Sequence, residues 1–101
     1  MGELQDKINF EWDENKNAIN IKKHGISFDE ASTVFYDVNA LFISDPDHSD
    51  SDEERFIILG ASKKPELLTV CHCFRKAGSV IRIISARHAT KQETMEYFES
   101  L

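Results

Sequence analysis

A chain of 101 residues with 41% hydrophobic and 30% charged residues has the makeup of one soluble globular domain, spanning residues 1–101. No apolar run approaches the roughly 20 residues a membrane span requires. Met1 to Asn9 carries Glu3, Asp6 and Lys7 instead of an apolar signal region, and Cys71 and Cys73 stand too close in sequence to staple a fold, so a cytoplasmic protein is expected.

Residues 1–8 are expected to be flexible. Asn9-Phe10-Glu11-Trp12 alternates and predicts a short strand. Asp13 then caps a helix from Glu14 to about His24, which Gly25 stops in the left-handed position after Lys22, Lys23 and His24. Ser27 and Glu30 have the spacing of a capping box, opening a second helix to about Tyr36 with Phe28, Ala31, Val34 and Phe35 as its buried stripe. Ala40 to Ser44 reads as a strand, and residues 45–54, from Asp45 to Glu54, as a polar acidic loop. Strands follow at Arg55–Ala61, Leu67–Arg75 and Val80–Arg87, with turns at Lys63-Lys64-Pro65 and Lys76-Ala77-Gly78-Ser79. Thr90 and Glu93 form a second capping box that opens a final helix. The predicted fold is α+β, in the order β-α-α-β-β-β-β-α: an antiparallel sheet with a two-helix N-terminal hairpin and a C-terminal helix, all packed on one face.

The net charge of −6 counts against a nucleic-acid partner only as an average. Residues 1–54 hold fourteen Asp and Glu against four Lys, net −10, whereas residues 55–101 hold eight Lys and Arg against four Glu, net +4. Fields at exposed sites fade over about 8 Å at physiological salt, so one basic face is compatible with an acidic protein. Arg55, Arg75, Arg82 and Arg87 recur where the acidic residues stop, and guanidinium groups beside imidazoles suit phosphate chemistry. Each arginine taken alone also fits a snorkelling strand residue paired to a carboxylate. Simple alternation places Arg82 and Arg87 on opposite faces, unless a bulge re-aims one of them. His72 alternates away from Cys71 and Cys73; it is either a core histidine or a proton shuttle beside Arg75 and Arg82. His88 precedes the Thr90 cap, and His24 reads as a helix C-terminal cation with no catalytic role. Cys71-His72-Cys73 lacks the partner pair that tetrahedral zinc needs, and the acidic loop has Asp50 and Phe56 where a calcium loop has Gly and Glu. No metal or other cofactor is expected.

Phe10-Glu11-Trp12-Asp13, Lys23 through Ala31 with Val34-Phe35, Glu54-Arg55, and Arg82-Ile83-Ile84-Ser85-Ala86-Arg87 with Ala89-Thr90, Glu93 and Tyr97 together resemble the BrnT toxin family, in one collinear order over residues 9–99. The resemblance implies a RelE-like fold and the toxin of a type II toxin–antitoxin pair. It also implies a metal-independent endoribonuclease that arrests growth by cutting RNA. The implied partner is a BrnA-type antitoxin with a ribbon-helix-helix part, in a heteromeric complex that meets DNA only through the antitoxin. The family's pattern falls on Arg55, Arg82 and Arg87, with Ser85 and Tyr97 alongside. With the residue reading added, the catalytic expectation is Arg55, His72, Arg82 and Arg87, and RNA contacts are expected from Arg75, Lys76, Ser85, His88 and Tyr97. The alternative is a decayed toxin that only binds an antitoxin, which the −10 half would suit.

Overall fold

The computed structural model describes residues 7–44 and 53–101. The elements run β1 (Asn9–Glu11), α1 (Glu14–His24), α2 (Phe28–Ser32), a 3₁₀ turn (Thr33–Tyr36), β2 (Leu41–Ser44), β3 (Phe56–Ala61), β4 (Leu67–Arg75), β5 (Val80–His88) and α3 (Lys91–Glu99). The flexible start expected over 1–8 and the acidic loop expected over 45–54 lie largely outside the described residues.

One five-stranded sheet is ordered β1-β5-β4-β3-β2. β2 to β5 pair antiparallel, as strands joined in succession do, but β1 lies parallel to β5, with Glu11 opposite Arg82. The sheet is therefore mixed at one edge, not wholly antiparallel. Nothing ties the direction of β1 to β5, because both helices and three strands intervene between them.

Ile58, Leu68, Val70, Ile83 and Ala86 form the sheet half of the core, against Ile26, Phe28, Ala31 and Val34. Phe10, Trp12 and Phe35 pack at its border, with Trp12 edge-on to Phe28. This is the helical face. Thr69 lies between Leu68 and Val70 and so points the other way; its Oγ1 donates to Glu93 Oε1 at 2.9 Å. α3 accordingly sits over one end of the second face, against β3, and the helices are not all on one side as expected. The rest of the second face is open.

The caps follow the sequence with one exception. Asp13 Oδ1 accepts from Asn15 N at 2.8 Å, and Gly25 ends α1 at φ 73°. Thr90 and Glu93 make the reciprocal box. Ser27 Oγ caps Glu30 N at 3.0 Å, but Glu30 does not return the bond: it is 3% exposed, and Oε2 accepts from Ser62 Oγ at 2.9 Å. The second helix also tightens into the 3₁₀ turn after Ser32.

β5 carries one extra residue. Cys71 pairs with Ser85 and His72 with Ile83, which leaves Ile84 without an opposite number. Ile83 and Ala86, three positions apart, consequently both enter the core. Beyond the short β1, the edge of β5 meets Asn20, the one buried residue of α1. Asn20 Nδ2 donates to Ala86 O and to Ile26 O, each at 2.9 Å, and Oδ1 accepts from Ala86 N at 3.1 Å. A side-chain amide thus replaces the missing strand just past the bulge. Asn20→Ala strips the Ala86 peptide of both partners. It is expected to cost about 2–4 kcal/mol in urea unfolding, at about 1–3 kcal/mol per buried polar group left unsatisfied. Ile19→Ala, at a 63% exposed position, should cost under about 0.5 kcal/mol. Equal losses in the two variants would contradict this role for Asn20.

Candidate active site

The bulge decides which arginines meet. Arg82 lies opposite Cys73, ahead of the extra residue; Ser85 and Arg87 lie after it, opposite Cys71 and Thr69. Cys71, Cys73 and Thr69 share the open face, so Arg82, Ser85 and Arg87 share it too, against plain alternation. Arg75, two residues beyond Cys73 on β4, is on the same side. The four arginines therefore occupy one face, and Arg55 and Arg87 meet there in a hollow of about 230 Å³ lined also by Ser85, Thr69, Cys71 and His24. Arg82 and Arg75 flank this hollow without lining it.

Each guanidinium is also held by a carboxylate. Arg87 Nη1 and Nη2 make a fork with Glu93 Oε1 and Oε2 at 2.9 and 3.0 Å, and Nη1 donates to His88 O at 3.2 Å. Three of the five N–H groups of a guanidinium are used in this way, so the Arg87 head is oriented while retaining donor capacity. The Arg87 fork, with the Thr90 amide and the Thr69 hydroxyl, holds the Glu93 carboxyl down at about 2 despite its partial burial. Glu53 takes two partners, Arg75 Nη2 at 2.9 Å and Arg55 Nε at 3.7 Å. Arg82 Nη1 bonds Glu11 Oε2 across the β5–β1 pair at 2.9 Å.

Four expected residues are placed outside the hollow. His72 is fully buried on the helical face, walled by Phe35 at 4.8 Å, Phe74 at 5.5 Å, Phe56 at 6.2 Å and Phe42 at 6.5 Å. Its Nδ1 donates to Val70 O at 3.3 Å, and Nε2 has no hydrogen-bond partner among the described residues. Burial holds its pKa below the ordinary value, so it is neutral and shut away from the arginines; the catalytic expectation for His72 is corrected to a core role. Tyr97 is 6% exposed, with its hydroxyl donated to Asp37 Oδ2 at 2.6 Å and its pKa pushed up to about 12, first by that bond. Asp37 Oδ2 also accepts from Ala61 N at 2.8 Å, so Tyr97 ties α3 to the sheet and presents no ring to RNA. Lys76 sits with φ 53° in the β4–β5 turn, at the opposite end of the hairpin from the hollow. His88 ends β5, exposed, with Nδ1 3.7 Å from Glu66 Oε1.

His24, expected only as a helix C-terminal cation with no catalytic role, lines the hollow with Arg55 and Arg87. The signal was present only indirectly. Asn20 lies one turn before His24 on the same helix, and its hold on Ala86 swings the end of α1 round the β5 edge. Among the described residues no three His, Cys, Asp or Glu side chains converge on a metal position, and burial pushes the Cys73 thiol up.

Two acid-titration outcomes follow from these environments. Neutral buried His72 has its folded pKa lowered, so the unfolded chain binds the extra proton, and stability falls as pH drops below about 6.5. His72→Leu should flatten that slope and leave stability at pH 8 equal or higher, by about 1 kcal/mol. Glu93 has its folded pKa depressed, so its contribution is present above about 4.5 and is lost as pH falls toward about 2. Glu93→Gln should remove that lower limb by converting a fork into a single bond, at a cost of about 2 kcal/mol at neutral pH. Urea melts of the three proteins between pH 3 and 8 measure both. A His72→Leu slope parallel to the parent's above pH 5 would contradict the assignment.

Comparison with known proteins places the chain in a family. Among curated proteins no sequence matches. Among solved structures, the chain is similar to the crystal structure of the Brucella abortus ribonuclease toxin BrnT, with a TM-score of 0.62 and 22% identity. The match covers 84% of this chain and 100% of that one, and it shows a shared fold. The family profile described as "Ribonuclease toxin, BrnT, of type II toxin-antitoxin system" matches residues 12–93, from Trp12 to the Glu93 that clamps Arg87. With most of its length so matched, the chain belongs to the BrnT family of ribonuclease toxins of type II toxin–antitoxin systems.

Proposed function

We propose that this family member is an active endoribonuclease. It cuts RNA without a metal ion, arrests growth from the cytoplasm, and is neutralised by a BrnA-like ribbon-helix-helix antitoxin. The observation that carries the reading is the hollow itself: Arg55 from the start of β3 and Arg87 from the end of β5 line one recess together with Ser85 and His24. Cleavage by the RNA's own 2′-hydroxyl asks little more than this. The hydroxyl must lie near its phosphate, the growing charge on the phosphate must be neutralised, and a proton must leave one oxygen and reach another.

Arg87 is the preorganised donor, since the Glu93 fork spends its conformational freedom in advance. Arg55 meets the phosphate from the other wall. His24 carries the proton, as the histidine that lines the hollow. Ser85 offers a hydroxyl to a phosphate or ribose oxygen. Arg82 and Arg75, on the same face but outside the recess, take the flanking phosphates. The whole track is four guanidiniums against the carboxylates of Glu11, Glu53 and Glu93, which leaves it electropositive among the described residues.

A second reading, a toxin that binds its antitoxin without cutting, is favoured by the same ion pairs, because each must be shared with any incoming phosphate. Purified protein incubated with RNA in chelator separates the two. Cleavage is expected, slowed about 100-fold by Arg87→Ala and at least about tenfold by Arg55→Ala or His24→Asn, on the scale of a lost oxyanion donor or general acid–base group. His72→Leu should cut at the parent rate. An Arg87→Ala variant as fast as the parent, or cleavage that requires added magnesium, would contradict the proposed site. A folded, RNA-inert protein would establish the second reading.

A further inference from the structure

We propose that the floor of the arginine hollow is a nucleobase subsite, in which Ile57, Cys71 and Ile84 seat one unpaired base of single-stranded RNA while the guanidiniums hold its phosphate at the rim. The inference rests on the RNA reading of this recess and names the part of the substrate that fills it.

Strand register lays the open face out in rows. Leu59, Thr69 and Arg87 lie side by side across β3, β4 and β5, and so do Ile57, Cys71 and Ser85. Cys73 and Arg82 form the next row, and Arg55 stands two residues before Ile57 on the β3 side. Successive rows are roughly 7 Å apart along a strand. The middle row is therefore apolar on β3 and β4, with guanidiniums one row away in both directions. The bulge widens it, because Ile84, which has no opposite number, lines the hollow beside Ser85. Ile57, Cys71 and Ile84 are each half-buried, and together they span three neighbouring strands, roughly 10 Å, wide enough for a purine.

Floor and rim ask for different chemistry from one occupant. The Arg87 head meets Glu93 on α3, a helix that lies over this face, so a phosphate at that guanidinium sits above the sheet and leaves the floor uncovered. A phosphate keeps its water and gains nothing from apolar side chains, whereas a flat ring gains by burying one face against them. An apolar side chain of a protein partner would cover the floor equally well, but it brings no negative charge to the rim, where four guanidiniums share three carboxylates. A nucleotide within an RNA strand supplies both parts, a ring with phosphates on either side of it. A base inside a duplex is paired and stacked and does not reach a floor beneath its own phosphate, so the subsite reads strandedness.

The test is an NMR titration of the full chain, with ¹³C-labelled isoleucine methyls, against a uridine–adenosine–uridine trimer carrying 2′-O-methyl riboses and against the same trimer lacking its central base. The intact trimer is expected to move the Ile57 and Ile84 methyls upfield, by the ring current of a base lying over them. It should bind at least about tenfold more tightly than the abasic trimer, which carries the same phosphates. A blunt RNA duplex should leave both methyls in place. Ile57→Ala with Ile84→Ala should bring the two trimers within about threefold of each other by weakening the intact one alone, and Ile19→Ala, at a 63% exposed position on α1, should keep the preference. The comparison of the two trimers on the parent protein stands whether or not the double variant folds. Equal affinity for the two trimers, or the same methyl shifts with duplex RNA, would overturn the proposal. So would a dimer that buries both methyls without RNA, or a capped leucine tripeptide that shifts them at a lower concentration than the intact trimer. Cleavage of unmodified RNA by the same sample is read separately: a protein that cuts but ignores the base defeats this inference alone, and one that seats the base without cutting defeats only the nuclease reading.

Discussion

Ile84, the residue of β5 with no opposite number, is the feature on which the site depends. A regular strand would put Arg82 on one face and Arg87 on the other, dividing the basic residues between a packed core and an open surface. One extra residue between Ile83 and Ser85 changes the parity, so that Ile83 and Ala86 are both buried while Arg82, Ser85 and Arg87 all face out. A bulge of this kind loses a ladder position and must be held from outside. Asn20 does so by pairing both polar groups of Ala86 with one amide. The same contact draws His24 to the hollow. Sheet geometry, core packing and site composition therefore meet at a single asparagine–peptide pair.

The electrostatics of the open face combine order with exposure. Arg87 is 41% exposed at the side chain, yet its fork with Glu93 fixes it, and Glu93 is in turn fixed as the third residue of the Thr90 capping box and by Thr69. One carboxylate thus starts a helix, joins it to the sheet and aims a guanidinium. Because its pKa is held at about 2, the pair stays ionised throughout the neutral range, and the donor does not reorganise when phosphate charge builds. Glu53 plays a looser part, bridging Arg55 and Arg75 with one well-formed bond and one long one.

Much of the fold was legible in the chain. Alternating stretches marked β3, β4 and β5 within a residue or so, and Asp13, Gly25 and the Thr90–Glu93 box marked helix ends, because these signals are local. The parallel placement of β1 and the crossing of α3 to the second face were not legible, since both depend on contacts distant in sequence, such as Thr69 with Glu93 and Tyr97 with Asp37. The site was legible in composition and not in membership. Four arginines on one surface were within reach of the sequence only if the bulge was allowed for. His72 fitted either a core histidine or a proton shuttle beside Arg75 and Arg82, and period-2 alternation turned it away from them into an aromatic box. His24 looked like a helix-end cation because nothing local reveals that a polar helix docks through Asn20. Ser27 and Glu30 had the spacing of a reciprocal box, but a buried Ser62 hydroxyl drew the carboxylate inward.

The claim that Arg55 and Arg87 converge to grip one phosphodiester is tested most directly by a crystal structure of the protein with a short RNA carrying a 2′-O-methyl group at the cleavage position. The account predicts a phosphate in the recess between β3 and β5, within hydrogen-bond distance of both guanidiniums, with the His24 imidazole beside the reacting oxygens. RNA seated against Phe42, Phe56 and Phe74 on the other face, or a phosphate held by Arg75 and Lys76 at the hairpin turn with the recess empty, would contradict it.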